Sequence, residues 1–436
     1  MKQSELFFFG YQGIVYAAQQ GAQVINCSWG GGSNSRFGQD VVQFATLNQG
    51  AAVFAACGNS GSDFAFYPAA YEEVISVANT SFGDTTFANT TYHFTVDLAA
   101  PGWQIYSTLG NSGYHRWGGT SASAPIVAGG VALVKSHFPQ YSGVQAAQRL
   151  RITADDIYAQ NLDKIDKLGQ GRINLLRALN DPAKPAIRQL SLGISDQDGD
   201  GFFRSGDILE LRPTFRNYLE AGTFLEIELS LPQEMTGFAE VLDGSRTIGA
   251  IGANQIFNPS QPFRLRLKAG LPPDVQIYLR FQYQDTPTQY QDVEMVGFQA
   301  NTTYLDVEVN QVRTTVNSQG NFGWNDFFAQ SQGLGFRYQN RANVLFEGSL
   351  LIAANGKVAD RARDTNGVDL DFRLLESIER METHDPVDFA SVSTLDDQAM
   401  DDPIGIQVTQ ETYAYARSEW ENFVILRYIL TNTSTS

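Results

Sequence analysis

One stretch of the sequence places a serine hydroxyl where it could attack a substrate. It runs Gly118-Gly119-Thr120-Ser121-Ala122-Ser123-Ala124-Pro125-Ile126-Val127-Ala128-Gly129-Gly130. Small neighbours leave the hydroxyl of Ser121 open, and Pro125 suits the first turn of a helix because its missing N–H has no partner there. We therefore expect Ser121 at a helix N-terminus, where unpaired N–H groups and the helix dipole favour negative charge on a carbonyl oxygen.

The same stretch is also consistent with a loop of small residues that caps a core helix. In that interpretation Ser121 or Ser123 serves only as the N-cap. The surrounding elements and the other polar loops must decide between the two.

Two helix–strand units precede the serine. A helix over residues 12–20 is stopped by Gly21 and followed by the strand Val24-Ile25-Asn26-Cys27. A second helix near residues 38–49 ends at Gly50 and leads into the strand Ala52-Val53-Phe54-Ala55-Ala56. This alternation predicts a parallel sheet, whose ligands bind beyond the carboxyl ends of the strands.

Both strands end in a glycine-containing polar loop. Ser28-Trp29-Gly30-Gly31 follows the first strand, and Gly58-Asn59-Ser60-Gly61 follows the second. Glycines at these points would let a substrate backbone come close. Each loop has a simpler interpretation: a turn with a packed Trp29, and a Gly-Asn turn with Asn59 in a left-handed conformation.

The stretch around Ser121 resembles the nucleophile motif of the subtilisin family of serine proteases, Gly-Thr-Ser-x-Ala/Ser-x-Pro-x-Val-Ala-Gly, at nearly every position. The resemblance covers about residues 12–181. It continues in family order through Val24 to Gly31, Ala55 to Gly61, Phe66-Tyr67-Pro68-Ala69, Val74 to Ala78, Val96 to Gly102 and Gly169-Gln170-Gly171-Arg172-Ile173-Asn174.

The resemblance implies a role for each loop. Ser121 would be the nucleophile, and the side-chain amide of Asn59 would bind the oxyanion together with the backbone N–H of Ser121. Ser28, Trp29, Gly30 and Gly58 would bind the substrate.

A serine needs an adjacent base, and the base needs a third group that orients it. In subtilisins the chain order is Asp, His, Ser, so both partners should precede residue 12. Nothing before Ser28 resembles an Asp-Thr-Gly strand end or a His-Gly-Thr-His helix start. We therefore expect a chain that is truncated at its N-terminus and nearly inactive alone; a genuine remnant of a protease is the alternative.

None of the other candidate bases or carboxylates lies in a suitable motif. His115 is six residues before Ser121, in a Gly/Ser-rich loop, and a surface position suits it better than the role of a base. The remaining histidines are His93, His137 and His384, and the acidic candidates are Asp40, Asp63 and Asp97.

Composition limits the classes of protein and partner. The 436 residues suffice for two or three domains. A net charge of −17 opposes binding to nucleic acid. Only two cysteines are present, which argues against a disulfide scaffold. No apolar run approaches the roughly 18 residues of a membrane span, so we expect no membrane span.

The second half of the chain is β-rich. Residues 182–186 form a proline-containing linker after the region 1–181. Alternating apolar and polar residues over 224–231, 263–267 and 275–283 predict an antiparallel β-sandwich over residues 187–300. We expect a further β-rich domain over residues 301–436, truncated at its C-terminus.

An aspartate-rich loop lies before the first long strand of the expected sandwich. Asp196, Asp198, Asp200 and Asp207 occupy positions one, three, five and twelve, with glycine at position six. This spacing follows an EF-hand calcium loop. Glutamate is usual at position twelve, and a metal-free Asp/Gly turn is the alternative. The sequence thus predicts a calcium site, with calcium in a structural role.

Together these features predict an α/β fold, a partial subtilisin-like parallel sheet with flanking helices, followed by all-β accessory domains. The expected reaction is hydrolysis of protein or peptide substrates through an acyl-enzyme on Ser121, with no organic cofactor. Secretion or display on the cell surface follows only from the family resemblance. A non-catalytic secreted or surface adhesion protein with a remnant protease region is the rival hypothesis.

Overall fold

The computed structural model describes residues 3–110, 113–197, 199, 201–325, 332–339, 341–362 and 369–434, with side chains from residue 9 onward. The chain divides into two compact units. The first comprises Met1–Leu271 with Gln276–Gln299, and the second comprises Pro272–Val275 with Ala300–Ser436. The finer division into residues 1–181, 182–186, 187–300 and 301–436 remains a prediction.

A four-stranded parallel sheet organises the first 181 residues. Its strands lie in the order β1 (Val24–Cys27), β2 (Ala52–Ala56), β3 (Val74–Thr80) and β4 (Leu98–Pro101). Every residue of β2 and β3 is buried, which explains their continuous small or apolar sequence. The α/β region with a parallel sheet is confirmed, and so are the two strands predicted from the sequence.

Helices cover both faces of this sheet. They are α1 (Gln3–Gln19), α2 (Arg36–Gln43), α3 (Thr120–His137), α4 (Gly143–Ile152) and α5 (Leu175–Asn180). A π-helical segment, Phe44–Asn48, continues α2. The starts predicted at residues 12 and 38 were too late. In α2 the reason is Ser35, whose hydroxyl accepts the Gly38 N–H at 3.1 Å and caps the helix earlier.

The two faces of β2 bury different helices, because successive side chains of a strand point in opposite directions. Phe54 belongs to the core that contains Val127 and Leu150, from α3 and α4. Val53 belongs to the core that contains Val42 of α2. Packing against the sheet therefore fixes the position of α3, and with it the position of the serine motif.

A short antiparallel hairpin and two single-turn helices complete this region. The hairpin strands β5 (Ile105–Leu109) and β6 (Gly113–Trp117) lead directly into the serine motif. The 3₁₀ turns are Tyr158–Gln160 and Leu162–Lys164.

Antiparallel strands between Ile187 and Ala300, here called the first β region, form two sheets. One contains β7 (Ile187–Ser195), β8 (Ile208–Asn217), β10 (Ala239–Asp243), β12 (Ile256–Phe257) and β13 (Phe263–Leu267). The other contains β9 (Gly222–Ser230), β11 (Ser245–Ile251), β14 (Val275–Asp285) and β15 (Tyr290–Ala300). Phe281 of the second sheet lies 5.6 Å from Phe215 and 5.5 Å from Phe263 of the first, measured between ring centroids.

Buried arginines of α4 connect the parallel-sheet region to residue 182 and to the first β region. Arg149 donates hydrogen bonds to the carbonyls of Ala178 at 2.9 Å and Pro182 at 3.0 Å. Arg151 donates to both carboxylate oxygens of Asp292 in β15 at 2.5 Å. The side chains of this ion pair are each only 1% exposed. Residue 182, predicted as part of a linker, is therefore held at its carbonyl by a buried guanidinium.

The second unit is built from further antiparallel sheets. Its strands are β16 (Tyr304–Val307), β17 (Val312–Asn317), β18 (Phe336–Tyr338), β19 (Leu351–Ala354), β20 (Lys357–Asp360), β21 (Arg373–Arg380), β22 (Phe389–Asp396), β23 (Ile406–Ala414) and β24 (Val424–Asn432). They pair as β16-β17-β18, β19-β20 and β21-β22-β23-β24. The expectation that β domains follow the α/β region is confirmed at the level of multiple antiparallel sheets.

Replacing Arg151 should reveal how strongly the first β region stabilises the parallel-sheet region. The Arg151→Met change leaves the carboxylate of Asp292 buried without its cation, so we expect the free energy of unfolding to fall by about 3–5 kcal/mol. Denaturant unfolding measures this loss. Arg266→Met, which breaks an exposed ion pair with Glu240, is the control and should change stability by less than about 1 kcal/mol. Equal effects of the two substitutions would contradict the assigned role of Arg151.

Candidate active site

Ser121 lies in the first turn of α3, exposed to solvent. The turn begins after Gly119, which has a φ of 97° and a ψ of 172°. Residues other than glycine rarely adopt this backbone conformation. The Ala122 N–H donates to the Gly119 carbonyl at 2.9 Å, and the Gly119 N–H donates to the Gly102 carbonyl at 2.8 Å. The neighbouring Thr120 is fully buried. The motif is therefore rigidly held on either side of a hydroxyl that stays accessible.

Pro125 occupies a different position from the predicted one. Helix α3 starts at Thr120, so Pro125 lies inside the helix and not at its first residue. Because proline has no N–H, the Ser121 carbonyl four residues earlier lacks its helical partner. The Ser28 hydroxyl supplies a replacement, donating to that carbonyl at 2.8 Å. The hydroxyl of Ser121 in turn donates to the Ser28 carbonyl at 3.3 Å.

Asn59 lies beside this turn, in the exposed loop after β2. Its Oδ1 accepts the Thr120 N–H at 3.0 Å and the Thr120 hydroxyl at 3.3 Å. These bonds fix which end of the amide faces the helix. Within the part of the chain that the structure describes, the Nδ2 group of Asn59 makes no hydrogen bond. The arrangement leaves a fixed N–H donor next to Ser121.

Hydrogen bonds also hold the Asn59 loop against residues 89–92. The Ser60 N–H donates to the Thr91 hydroxyl at 2.9 Å, and the Gly61 N–H donates to the Asn89 carbonyl at 2.9 Å. The buried Cys57 thiol, whose pKa is raised by burial, donates to the Thr91 carbonyl at 3.0 Å. A thiol with a raised pKa is a poor nucleophile, so Cys57 acts here as a packed hydrogen-bond donor.

The other residues predicted to bind substrate lie close by but pack against the protein. Trp29 lies edge-on to Tyr11, with ring centroids 5.3 Å apart. A Cβ added to Gly30 would approach the Phe66 ring to 2.4 Å, and one added to Gly58 would lie 3.1 Å from the same ring. Both glycines are thus required by Phe66. A role of Ser28, Trp29, Gly30 and Gly58 toward a substrate stays a prediction.

Two of the histidines considered from the sequence, His115 and His93, lie in other surroundings. Among the described residues, the hydrogen bond of the Ser121 hydroxyl goes to Ser28 and not to a histidine. His115 is exposed on β6 beside Trp117, at 5.5 Å between ring centroids. His93 bonds to Thr95 and Tyr278, and burial lowers its pKa.

The carboxylates considered from the sequence are engaged elsewhere or exposed. Asp97 accepts the Ser76 N–H at 2.9 Å and pairs with Arg188. Asp63 pairs with Lys167. Asp40 is exposed on α2.

The aspartate-rich loop before β8 is partly described. Asp196 accepts the N–H groups of Gly199 at 2.6 Å and Gly201 at 3.0 Å, and Asp207 accepts the Arg204 N–H at 2.6 Å. The other two predicted ligands, Asp198 and Asp200, lie outside the described residues. A strand follows the loop. These contacts organise a turn with or without a metal, so calcium binding stays a prediction.

A second carboxylate group was not singled out from the sequence. Oxygen atoms of Asp360, Asp369 and Asp371 lie within 4.8 Å of one another in the second unit. Their sequence separation gives no recognised spacing, because backbone hydrogen bonds from Asp369 to Ala362 and from Asp371 to Asp360 bring them together.

Comparison with known proteins finds similarity in the first part of the chain. The model of the subtilase family, peptidase S8, matches residues 9–175. The chain is 40% identical to thermitase of Thermoactinomyces vulgaris over 167 residues, which are 38% of this chain and 57% of thermitase. It is 36% identical to subtilisin BL of Lederbergia lenta over 163 residues, 37% of this chain and 58% of that protein. The chain thus spans less than two thirds of the length of these relatives.

A solved structure also shows a likeness to part of the chain. The prenylagaramide maturation protease PagA is 24% identical, with a TM-score of 0.36, covering 39% of this chain and 65% of that one. No helix among the residues that the structure describes is both long enough and apolar enough to cross a bilayer.

The conformation of Gly119 generates a direct test of the motif. In Gly119→Ala the new Cβ would lie 3.0 Å from Oδ1 of Asn59, at a φ that costs about 1–3 kcal/mol for other residues. We expect the free energy of unfolding to fall by about that amount, as measured by denaturant unfolding. The control is Gly129→Ala, exposed in the same helix with nothing within 4 Å, which should stabilise by up to about 1 kcal/mol. A Gly119→Ala variant as stable as the parent would contradict the strain.

Proposed function

We propose that the polypeptide carrying residues 9–175, which match the subtilase family, is a serine endopeptidase. It would act through an acyl-enzyme on Ser121. The observation that supports this most directly is the pairing of an exposed Ser121 with an amide donor anchored to the same helix turn. Nucleophilic attack would convert the substrate carbonyl to an oxyanion, and the leaving amine would depart as the acyl-enzyme forms.

The proposed oxyanion site consists of two donors. One is Nδ2 of Asn59, directed by the bonds that Oδ1 accepts from Thr120. The other is the backbone N–H of Ser121, one of the first four N–H groups of the helix, which lack the usual helical acceptor four residues earlier. In subtilisin itself, removing the asparagine of this site lowers turnover by about a hundred- to a thousandfold.

The base and its orienting carboxylate are not assigned to any residue of 1–436. We propose that these residues alone are nearly inactive for that reason. In subtilisin, loss of the histidine costs about a millionfold in turnover, which leaves only the contributions of the oxyanion site and of binding.

Peptide substrates, structural calcium and secretion complete the proposal. Subtilases act on protein or peptide substrates, and the exposed Ser28 loop is the surface where we place the substrate backbone. Their homologues are typically secreted, which we extend to this polypeptide. The rival remains a non-catalytic secreted or surface adhesion protein with a remnant protease region.

We further propose calcium at the loop 196–207. The two described carboxylates lie at its first and twelfth positions, and hard oxygen ligands are what Ca²⁺ prefers. Calcium at a hundred times its dissociation constant would raise the free energy of unfolding by about 2.7 kcal/mol.

Thermal unfolding with and without calcium tests this proposal. The increase in stability should disappear in Asp196→Asn, which keeps the size of the side chain but removes its charge. Glu226→Gln, an exposed carboxylate on β9 of the same β region, is the control and should keep the full increase. Equal calcium responses in both variants would reject the site.

A chimera tests the endopeptidase proposal. The part of thermitase that precedes the matched region would be joined to residues 9–436, which supplies the missing triad partners. We expect this chimera to hydrolyse a peptide substrate and to react with a fluorophosphonate at Ser121, roughly a millionfold faster than residues 1–436 alone. Active-site mass spectrometry locates the label.

Two matched variants give the chimera its controls. Ser121→Ala should abolish labelling, whereas Ser123→Ala should retain it, because Ser123 is buried and its hydroxyl donates to the carbonyls of Ala100 and Pro101. A folded chimera without labelling, or one still labelled after Ser121→Ala, would favour the adhesion hypothesis over the protease.

A further inference from the structure

We propose that the first β region positions the Asn59 loop through Lys167, so that this region helps to hold the oxyanion donor in place. The inference rests on the proposed role of Asn59 and goes beyond it, because it gives the β region a part in assembling the site. Lys167 would be a positioning residue that does not touch the substrate.

Lys167 bridges two carboxylates from different parts of the first unit. Its ammonium group lies 2.5 Å from Oδ2 of Asp63 in the Asn59 loop and 2.5 Å from Oε1 of Glu234 in the first β region. The side chain is only 6% exposed, whereas Asp63 is 36% exposed and Glu234 is 57% exposed. A buried ammonium between two carboxylates is held far more strongly by both than an exposed one would be.

The environment of Lys167 keeps its charge. Burial alone would lower the pKa of Lys167, but its hydrogen bonds to Asp63 and Glu234 outweigh burial, and the pKa is raised. The ammonium also lies 4.7 Å from the centroid of the Phe94 ring, a cation–π contact. The ammonium group of Lys167 is thus held by two carboxylates and an aromatic ring.

Asp63 lies four residues after Asn59, so the bridge that holds Asp63 also restrains the loop that carries Asn59. It pairs with Tyr92 as a β-bridge, and the Phe64 N–H donates to the Tyr92 carbonyl at 3.2 Å. Together with the bonds of Ser60 and Gly61 to residues 89–91, these contacts hold the loop on both sides of Asp63. Loss of the Lys167 bridge would leave this part of the loop held only by its bonds to residues 89–92, which we expect to loosen it.

Neighbouring contacts hold the Lys167 segment against the same β region. Arg280 of β14 pairs with Asp166 at 3.3 Å. The side-chain amide of Gln170 donates to the Val293 carbonyl of β15 at 2.6 Å. The segment that carries Lys167 is therefore placed by the β region on both sides of this residue, and the ammonium of Lys167 extends that placement to Asp63.

Hydrogen–deuterium exchange of residues 1–436, read by mass spectrometry, tests the coupling. In Lys167→Met, which keeps the apolar stem and removes the charge, we expect amides of residues 58–64 to exchange about tenfold faster. Glu234→Gln, which weakens only the partner from the β region, should accelerate them roughly threefold. Lys167→Arg should keep the exchange within about twofold of the parent, since the cation is retained.

The controls separate this coupling from general loss of stability. Glu240→Gln removes another exposed carboxylate of the same β region and should leave residues 58–64 unchanged. Unaltered exchange in both Lys167→Met and Glu234→Gln would overturn the proposal. Equal acceleration in the buried strand Val74–Thr80 would also overturn it, because the effect would then be global. Exchange is read on the backbone, so a chimera without protease activity would reject the proposed function and leave this coupling intact.

Discussion

The contact between Asn59 and the first turn of α3 is the interaction on which the candidate site depends. The amide oxygen of Asn59 accepts from the Thr120 N–H at 3.0 Å, and this bond helps to join the loop after β2 to the helix that carries Ser121. An unanchored asparagine would turn freely and lose entropy on binding, whereas an anchored one presents its N–H group in a fixed direction. The conformation of Gly119 and the burial of Thr120 allow the Asn59 loop and the first turn of α3 to come within hydrogen-bonding distance.

The contact that replaces the missing helical hydrogen bond at Pro125 also brings the Ser28 loop to the candidate site. Proline leaves the Ser121 carbonyl without a donor from the helix, and the hydroxyl of Ser28 supplies one. The loop after β1 is thereby held against Ser121. The loops around residues 28 and 59 lie together because parallel strands end at the same edge of a sheet, and hydrogen bonds join both loops to the first turn of α3.

Charged groups bind the parallel-sheet region to the first β region. Arg151 with Asp292, and Arg188 with Asp97 and Glu294, are ion pairs with little exposure. Buried pairs of this kind give little net stability but make separation costly, because each lost partner leaves an unpaired buried charge. The two regions therefore act as one compact unit, and Lys167 extends the same principle to the loop of Asn59.

Much of the fold was predictable from the sequence, and part of the site was not. The strands Val24–Cys27 and Ala52–Ala56 are confirmed, and the second is fully buried, which explains its continuous small or apolar sequence. The earlier starts of α1 and α2, the interior position of Pro125 and the packing of Gly30 against Phe66 were missed, since caps and distant neighbours decide them. Lys167 had no local signal at all, because its two partners lie 104 and 67 residues away.

The central claim is that Thr120 holds the carbonyl end of the Asn59 amide and leaves its Nδ2 group without a hydrogen bond to the described part of the protein. A crystal structure of residues 1–436, at a resolution that distinguishes amide orientation by its hydrogen bonds, tests this most directly. The account predicts Oδ1 at about 3 Å from the Thr120 nitrogen, with Nδ2 bonded only to solvent. An Nδ2 group that donates to a protein carbonyl, or an Asn59 side chain separated from Thr120, would contradict it.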